Sequence, residues 1–246
     1  MKQARAILLA MTLLATGCAR PPSAEPLPTY PRLDDAAALK VLADRAASVK
    51  TLSAECDLTL TRPAGDSVRL DGAVVMAPPD RLRLRAWKLN QAIFDLTLTP
   101  DGLWVMTPDD PSRREKVLPA SLGAAQFARE WALLNGQFFT QPGLVLGGND
   151  RWLTVTRTLG DGRKVVCRID RATLTPRQYV MSDPQGAVRF KLTLSDYRLQ
   201  GNIPWPRKTG AVSGEGKIDL RLKEVELNQD LAPGAFKPPR RAEKRE

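Results

Sequence analysis

From residue 54 to residue 106 the chain alternates apolar and polar side chains with a period of two, in consecutive runs separated by turn chemistry. Cys56, Leu58 and Leu60 interleave with Glu55, Asp57 and Thr59. After the turn at 63–66, Val68, Leu70, Gly72, Val74 and Met76 resume the pattern. Leu82, Leu84 and Ala86 then interleave with Arg81, Arg83 and Arg85, and Phe94, Leu96 and Leu98 with Asp95, Thr97 and Thr99. Pro100-Asp101-Gly102 turns into Leu103–Met106. A period of two is the signature of half-buried strands, and this spacing makes an antiparallel meander of five. Each run has one apolar face, so only one side of the sheet can be covered by apolar matter.

Helical spacing flanks the meander. Asp34 and Asp35 suit an N-cap and first turn, and Ala38, Leu39, Leu42, Ala46 and Val49 follow at helical intervals, which predicts a helix over 34–51. A second helical pattern places Leu122, Ala125, Trp131 and Leu134 before the break at Asn135-Gly136. Strand patterns return over 151–158, 163–169, 177–182, 187–197 and 216–227. The segment around Ile203-Pro204-Trp205-Pro206 reads as an edge, because proline cannot donate to a central ladder. A sheet this large cannot be flattened onto two helices. The expectation is therefore a mainly β (α+β) fold, a strongly curved antiparallel half-barrel of about eleven strands with two or three helices on its concave side.

The N-terminus carries Lys2 and Arg5, an apolar run over 6–15 too short to span a bilayer, and Thr16-Gly17 before Cys18. This leader resembles the lipobox of bacterial lipoproteins, although Ala15 stands where leucine is commonest. The resemblance implies a signal peptide over 1–17 and acylation, palmitate included, at Cys18. Ala19 follows in place of an aspartate, which implies sorting to the outer membrane, facing the periplasm. Five prolines over 19–32 make residues 18–33 a semi-extended tether. The domain then occupies 34–240 and a charged tail 241–246.

Without residues 1–17 the chain keeps 35 basic against 27 acidic side chains. In an exported chain that balance favours anionic envelope surfaces over nucleic acid. The row Arg81, Arg83 and Arg85 reads first as a solvated strand face, and second as a contact for anionic headgroups. Cys56 and Cys167 both fall on apolar phases and can be two buried thiols or a disulfide. There is no histidine, no phosphate loop and no metal-binding spacing, so an enzyme, a metal and a cofactor are not expected.

Leu52-Ser53-Ala54-Glu55, Pro79–Leu84, Asp101-Gly102-Leu103-Trp104 and Phe236-Lys237-Pro238-Pro239 resemble the pattern of the LolA/LolB lipoprotein carriers. The lipobox and Ala128–Gly136 are closer to the anchored receptor LolB than to the soluble carrier. The Pro- and Gly-rich stretch 203–216 and the charged C-terminus depart from the receptor. The resemblance implies an apolar cavity that takes acyl chains of lipoproteins or lipids from a periplasmic carrier, without nucleotide. The inward set Leu58, Leu60, Val74, Met76, Leu82, Leu84, Phe94, Leu96, Leu98, Phe190, Leu192 and Leu194 would line that cavity, and otherwise forms a closed core. Leu89 matches the leucine that the receptor projects into the membrane. The rival expectations are a protein-binding or envelope-sensor module of the same fold, and a hydrolase of envelope polymers.

Overall fold

A computed structural model of the protein describes residues 25–107, 133 and 135–245. Helix α1 (Asp35–Ser48) leads into β1 (Leu52–Thr61), β2 (Ser67–Ala77), β3 (Arg81–Lys88), β4 (Gln91–Thr99) and β5 (Gly102–Met106). A 3-10 turn (Gln137–Thr140) precedes β6 (Val145–Gly148), β7 (Trp152–Thr158), β8 (Lys164–Asp170) and β9 (Thr175–Ser182). The chain continues through β10 (Val188–Gln200), β11 (Ile203–Ser213), β12 (Gly216–Leu222), β13 (Glu226–Leu227) and β14 (Glu243–Arg245). One antiparallel sheet holds them in the order β14-β5-β4-β3-β2-β1-β12-β11-β10-β9-β8-β7-β6, with β13 beside β1. The meander folds as predicted, and the sheet is the open, curled, mainly β half-barrel.

The register follows from the alternation. Leu58 faces Leu70 on one neighbour and Leu220 on the other, while Asp57 faces Asp71 and Arg221. Directly opposed residues share a face, so the leucines line the inside and the charges point out. The inner face carries two apolar clusters. One gathers β1–β5 with Ile203, Leu222 and Val225, and the other joins α1 and the 3-10 turn to β7–β10.

Because neighbouring strands alternate in direction, the turns at 62–66, 89–90, 159–163, 183–187 and 214–215 lie at one end of the half-barrel. The turns at 78–80, 149–151, 171–174 and 201–202 lie at the other. The second end is plugged. Helix α1 is capped by Asp34, whose side chain accepts from the Ala37 amide at 2.8 Å, and it buries Ala38 and Leu42 against the sheet. Arg45 in its last turn donates to the carbonyls of Thr173 (3.3 Å) and Leu174 (2.7 Å) and to the Tyr30 hydroxyl (2.6 Å). Arg171 pairs with Asp35 at 2.5 Å, and the Tyr30 amide bonds the Ala172 carbonyl. Tyr30 and Leu33 pack on the second cluster, so the end of the expected tether is docked.

Several expectations need correction. The sheet has fourteen strands, because β6 and β14 carry too little alternation to be read and the run 216–227 is split into β12 and β13. Among the described residues α1 and one 3-10 turn are complete and Leu133 is helical, where two or three helices were expected. Of the pattern 122–134, only Leu133 is described. Strand β11 is internal, pairing both β10 and β12, yet β12 pairs it only from Lys208 onward. Pro204 and Pro206 therefore sit where β11 is bonded on one side alone, so the missing donors leave no gap in the ladder. The tail is tied down by β14, whose Glu243, Lys244 and Arg245 pair with Val105, Trp104 and Leu103.

Arg83 departs from a solvated strand face. Its guanidinium donates to both carboxylate oxygens of Asp95 (2.7–3.1 Å) and to the Ala235 carbonyl at 3.2 Å. Asp95 is 4% exposed and also accepts from the Thr97 hydroxyl. The C-terminal segment covers this patch of the outer face, which no local pattern in β3 announces. Asp95→Ala leaves a half-buried guanidinium unpaired and is expected to cost about 3 kcal/mol in urea unfolding. The double change Arg83→Met with Asp95→Leu should recover most of that loss.

Candidate functional site, an apolar interior with one open end

Burial along the inner face falls toward the unplugged end. In β1, Leu52, Ala54, Cys56 and Leu58 are all under 5% exposed, but Leu60 is only half-buried. In β12, Leu222 is buried, Leu220 is half-buried and Ile218 is exposed. In β10, Leu194, Leu192 and Phe190 are buried and Val188 is exposed. The sequence supplies apolar residues to the tips of these strands, and nothing among the described residues covers them. The described residues place one buried charge, Asp95, and it lies on the outer face. This arrangement leaves inner-face apolar side chains exposed toward one end, while the charged Arg45 borders the interior at the other.

The inward set divides between the two clusters. Leu58, Val74, Met76, Leu82, Phe94, Leu96 and Leu98 belong to the first, with Leu60 and Leu84 packed against it; Phe190, Leu192 and Leu194 belong to the second. A pocket of about 80 Å³ between α1 and β9–β11 joins them, bordered by Leu42, Val49, Phe139, Tyr179, Leu194 and Trp205. Phe138 and Tyr179 meet edge to face beside it, 5.6 Å apart. Of the inward set, Leu194 alone borders this pocket. Sequence reasoning missed Val188, Val145 and Ile218 at the open end. The signal available for Val188 was its place directly after the Asp183–Gly186 turn.

Leu89 and Asn90 form a two-residue hairpin between Lys88 and Gln91, both at positive φ (50° and 63°). Such a turn favours Asn-Gly, and a branched apolar residue there is strained. Leu89 is 88% exposed. It contributes nothing to packing and holds an apolar side chain out beyond the strand ends.

On the opposite, outer face, β10, β11, β12, β1 and β2 carry a polar trough of about 880 Å³ lined by Asp57, Arg69, Asp71, Lys208, Asp219 and Arg221. Lys223 pairs with Asp57 at 2.5 Å, and that bond raises its pKa. Lys217 pairs with Asp219 at 2.7 Å. No group of three or more His, Cys, Asp or Glu among the described residues is arranged to hold a metal. No described helix is long and apolar enough to cross a membrane.

Cys56 and Cys167 are free and buried in separate clusters. Burial, and then the Asp57 charge, push the Cys56 thiol from its ordinary value near 9 up to about 12. Burial raises Cys167 further, and raises Tyr179 and Tyr197 well above the ordinary tyrosine range. Both thiols should resist alkylation at pH 8 in the folded protein and react fully in denaturant. Since the unfolded thiols ionise first, stability should be complete below pH 9 and fall as pH rises toward 12. Denaturant midpoints measured across that range check the sign.

No family model matches the chain, and no curated protein matches it in sequence. Solved structures match over most of its length. A DUF1329-family protein from Desulfovibrio piger superposes with TM-score 0.62 at 13% identity, covering 82% of this chain and 96% of that one. A LolA-superfamily protein from Nitrosomonas europaea gives 0.55 at 12%, covering 80% and 96%. An outer membrane lipoprotein-sorting protein domain from Vibrio parahaemolyticus gives 0.54 at 14%, covering 83% and 97%. At such identities the likeness is one of fold, and the fold is that of the LolA/LolB-like half-barrels.

Proposed function

We propose that the chain is a lipid-anchored envelope protein whose interior receives acyl chains of lipoproteins or lipids and passes them to the outer membrane, in the manner of LolB. The observation that carries this reading is the loss of burial along the inner face toward one end, with Leu89 standing beyond it. The LolA-superfamily and lipoprotein-sorting names of its structural neighbours support the cargo class. Cys18 would carry the anchor, and residues 1–17 would be removed on export. A periplasmic carrier would deliver the cargo.

Transfer of this kind is passive. An acyl chain leaves one apolar cavity for another of higher affinity, and each methylene kept from water contributes about 0.8 kcal/mol. The side chains would supply shape and dryness in place of chemistry, with the inward set as the lining. Leu89 would give the departing chain its first apolar contact outside. A protein-binding module of the same fold is the second reading, and the polar trough on the outer face is the feature that favours it.

Mass spectrometry of the protein purified from its own membrane should find acylation at Cys18 and co-purifying acylated cargo. Leu89→Glu should lower transfer from a loaded carrier at least tenfold while leaving cargo binding and Tm unchanged. Leu89→Asn relieves the strained turn and should raise stability by about 0.5–1 kcal/mol while also losing transfer. Undiminished transfer in both variants would overturn the receptor-like mechanism.

A further inference from the structure

The outer face of the second half carries apolar side chains where a solvated strand face would be polar. The register places Val145 opposite Thr156, Thr156 opposite Val166, Val166 opposite Val180, and Lys191 between Val180 and Val212. Directly opposed residues share a face, and the buried neighbours Val165, Tyr179 and Leu192 fix that face as the outer one. The outer phase of β1, by contrast, is Glu55, Asp57 and Thr59. Val145 and Val212 are 66% and 44% exposed. Scattered apolar residues on a surface need no explanation, but consecutive strands from β6 to β11 contributing to one line do.

The row runs into the polar trough. Val212 and Lys217, which face one another, both line it, and Gly210 lies on its floor between Thr193 and Asp219. Gly210 has no left-handed φ, and a Cβ there would meet only the Asp219 carboxylate, at 3.2 Å. Neither a turn nor a tight backbone contact asks for glycine at that position. A glycine inside a strand then marks a place where another chain comes close.

The charges along the row and trough are out of balance. Asp57 and Asp71 oppose each other across the ladder, but Lys223 bonds the first and lies in the field of both. Asp219 pairs with Lys217. The side chains of Arg69, Lys191 and Arg221 have no ion pair or hydrogen bond among the described residues. Lys208 stands directly opposite Arg221 and reaches Asp196 only at 4.0 Å. Arg221 also faces Asp57, whose carboxylate Lys223 already holds. Like charges opposed across a ladder destabilise it, and an anionic group laid over both removes that cost. The acidic pair has its counter-ion within the fold, and the basic pair lacks one.

Shape and sign select the occupant. A flat bilayer meets the protruding tips of a surface, whereas the floor of a trough of about 880 Å³ is reached only by a narrow segment. A second copy would bring the same surplus of cations. An extended protein segment with carboxylates and small apolar side chains satisfies both the row and the opposed cations.

We propose that the strip from Val166 across Val180 and Val212 into the trough is the docking surface for an acidic segment of a partner protein, with apolar side chains against the valines and a carboxylate over Lys208 and Arg221. The proposal rests on the protein-binding reading of the fold and makes no demand on acyl transfer.

The test is photocrosslinking of the full chain in its own cells, with p-benzoylphenylalanine at Val180, at Val212 and, as a control on the outer face of β3, at Arg85. Irradiation should give the same protein adduct from 180 and 212 and none from 85. Mass spectrometry of the crosslinked peptide should show more Asp and Glu than Lys and Arg. Lys191 and Arg221 are exposed, so Lys191→Glu with Arg221→Glu should leave Tm unchanged while lowering the adduct yield at least about tenfold. Lys191→Arg with Arg221→Lys should keep the yield. An adduct to a second copy of the chain, a crosslinked peptide that is not acidic, or a yield indifferent to charge reversal overturns the proposal and retains a protein partner. Lipid adducts alone, or no adduct, overturn the protein-binding reading with it. Leu89→Glu should leave the adduct yield unchanged, which keeps docking apart from acyl transfer.

Discussion

The antiparallel ladder has a side-chain period of two, and that period governs everything else in this molecule. A slip of one residue between β1 and its neighbours would turn Leu58, Leu70 and Leu220 outward and bring Asp57, Asp71 and Arg221 into the interior. The register is held by that cost across thirteen neighbouring strand pairs in one continuous sheet. Curling the sheet then gathers the apolar phase of every strand on one side. The interior is therefore made by the register, and its dryness follows from the same alternation.

What makes that interior a site is the unequal treatment of its two ends. At one end Asp34, Asp35, Arg45 and Arg171 tie α1 and the incoming chain to the β8–β9 turn, and Phe138 and Phe139 close in beside Tyr179. Arg45, Arg171 and Asp35 have partners within the fold there, whereas the buried Trp205 Nε1 and Thr99 Oγ1 have none among the described residues. At the other end the turns are tight, Asp66, Asp161 and Asp183 are taken by adjacent arginines, and nothing described covers the last apolar residues of β1, β10 and β12. A closed core would have buried Ile218 and Val188, as it buries Leu222 and Leu194.

Much of this was legible in the chain. The meander over 52–106, the first helix and the inner and outer phase of each strand follow from local alternation, which reports the face of a strand directly. The inner set was legible as apolar but not as two clusters, since which strands share a helix is a matter of how the sheet bends. Arg83 shows the limit well. Its phase is outward, as its neighbours require, yet a segment some 150 residues away covers it, and no period within β3 carries that information.

By itself the sequence determined the strand pattern and the absence of histidine chemistry, because each is read directly along the chain. The tertiary structure decided that β11 is internal with its prolines on a one-sided stretch, that the C-terminal segment seals the Arg83–Asp95 pair, and that the outer-phase valines of β6, β8, β9 and β11 fall in one row. Those features join residues distant in sequence, and only the order and direction of the strands bring them together.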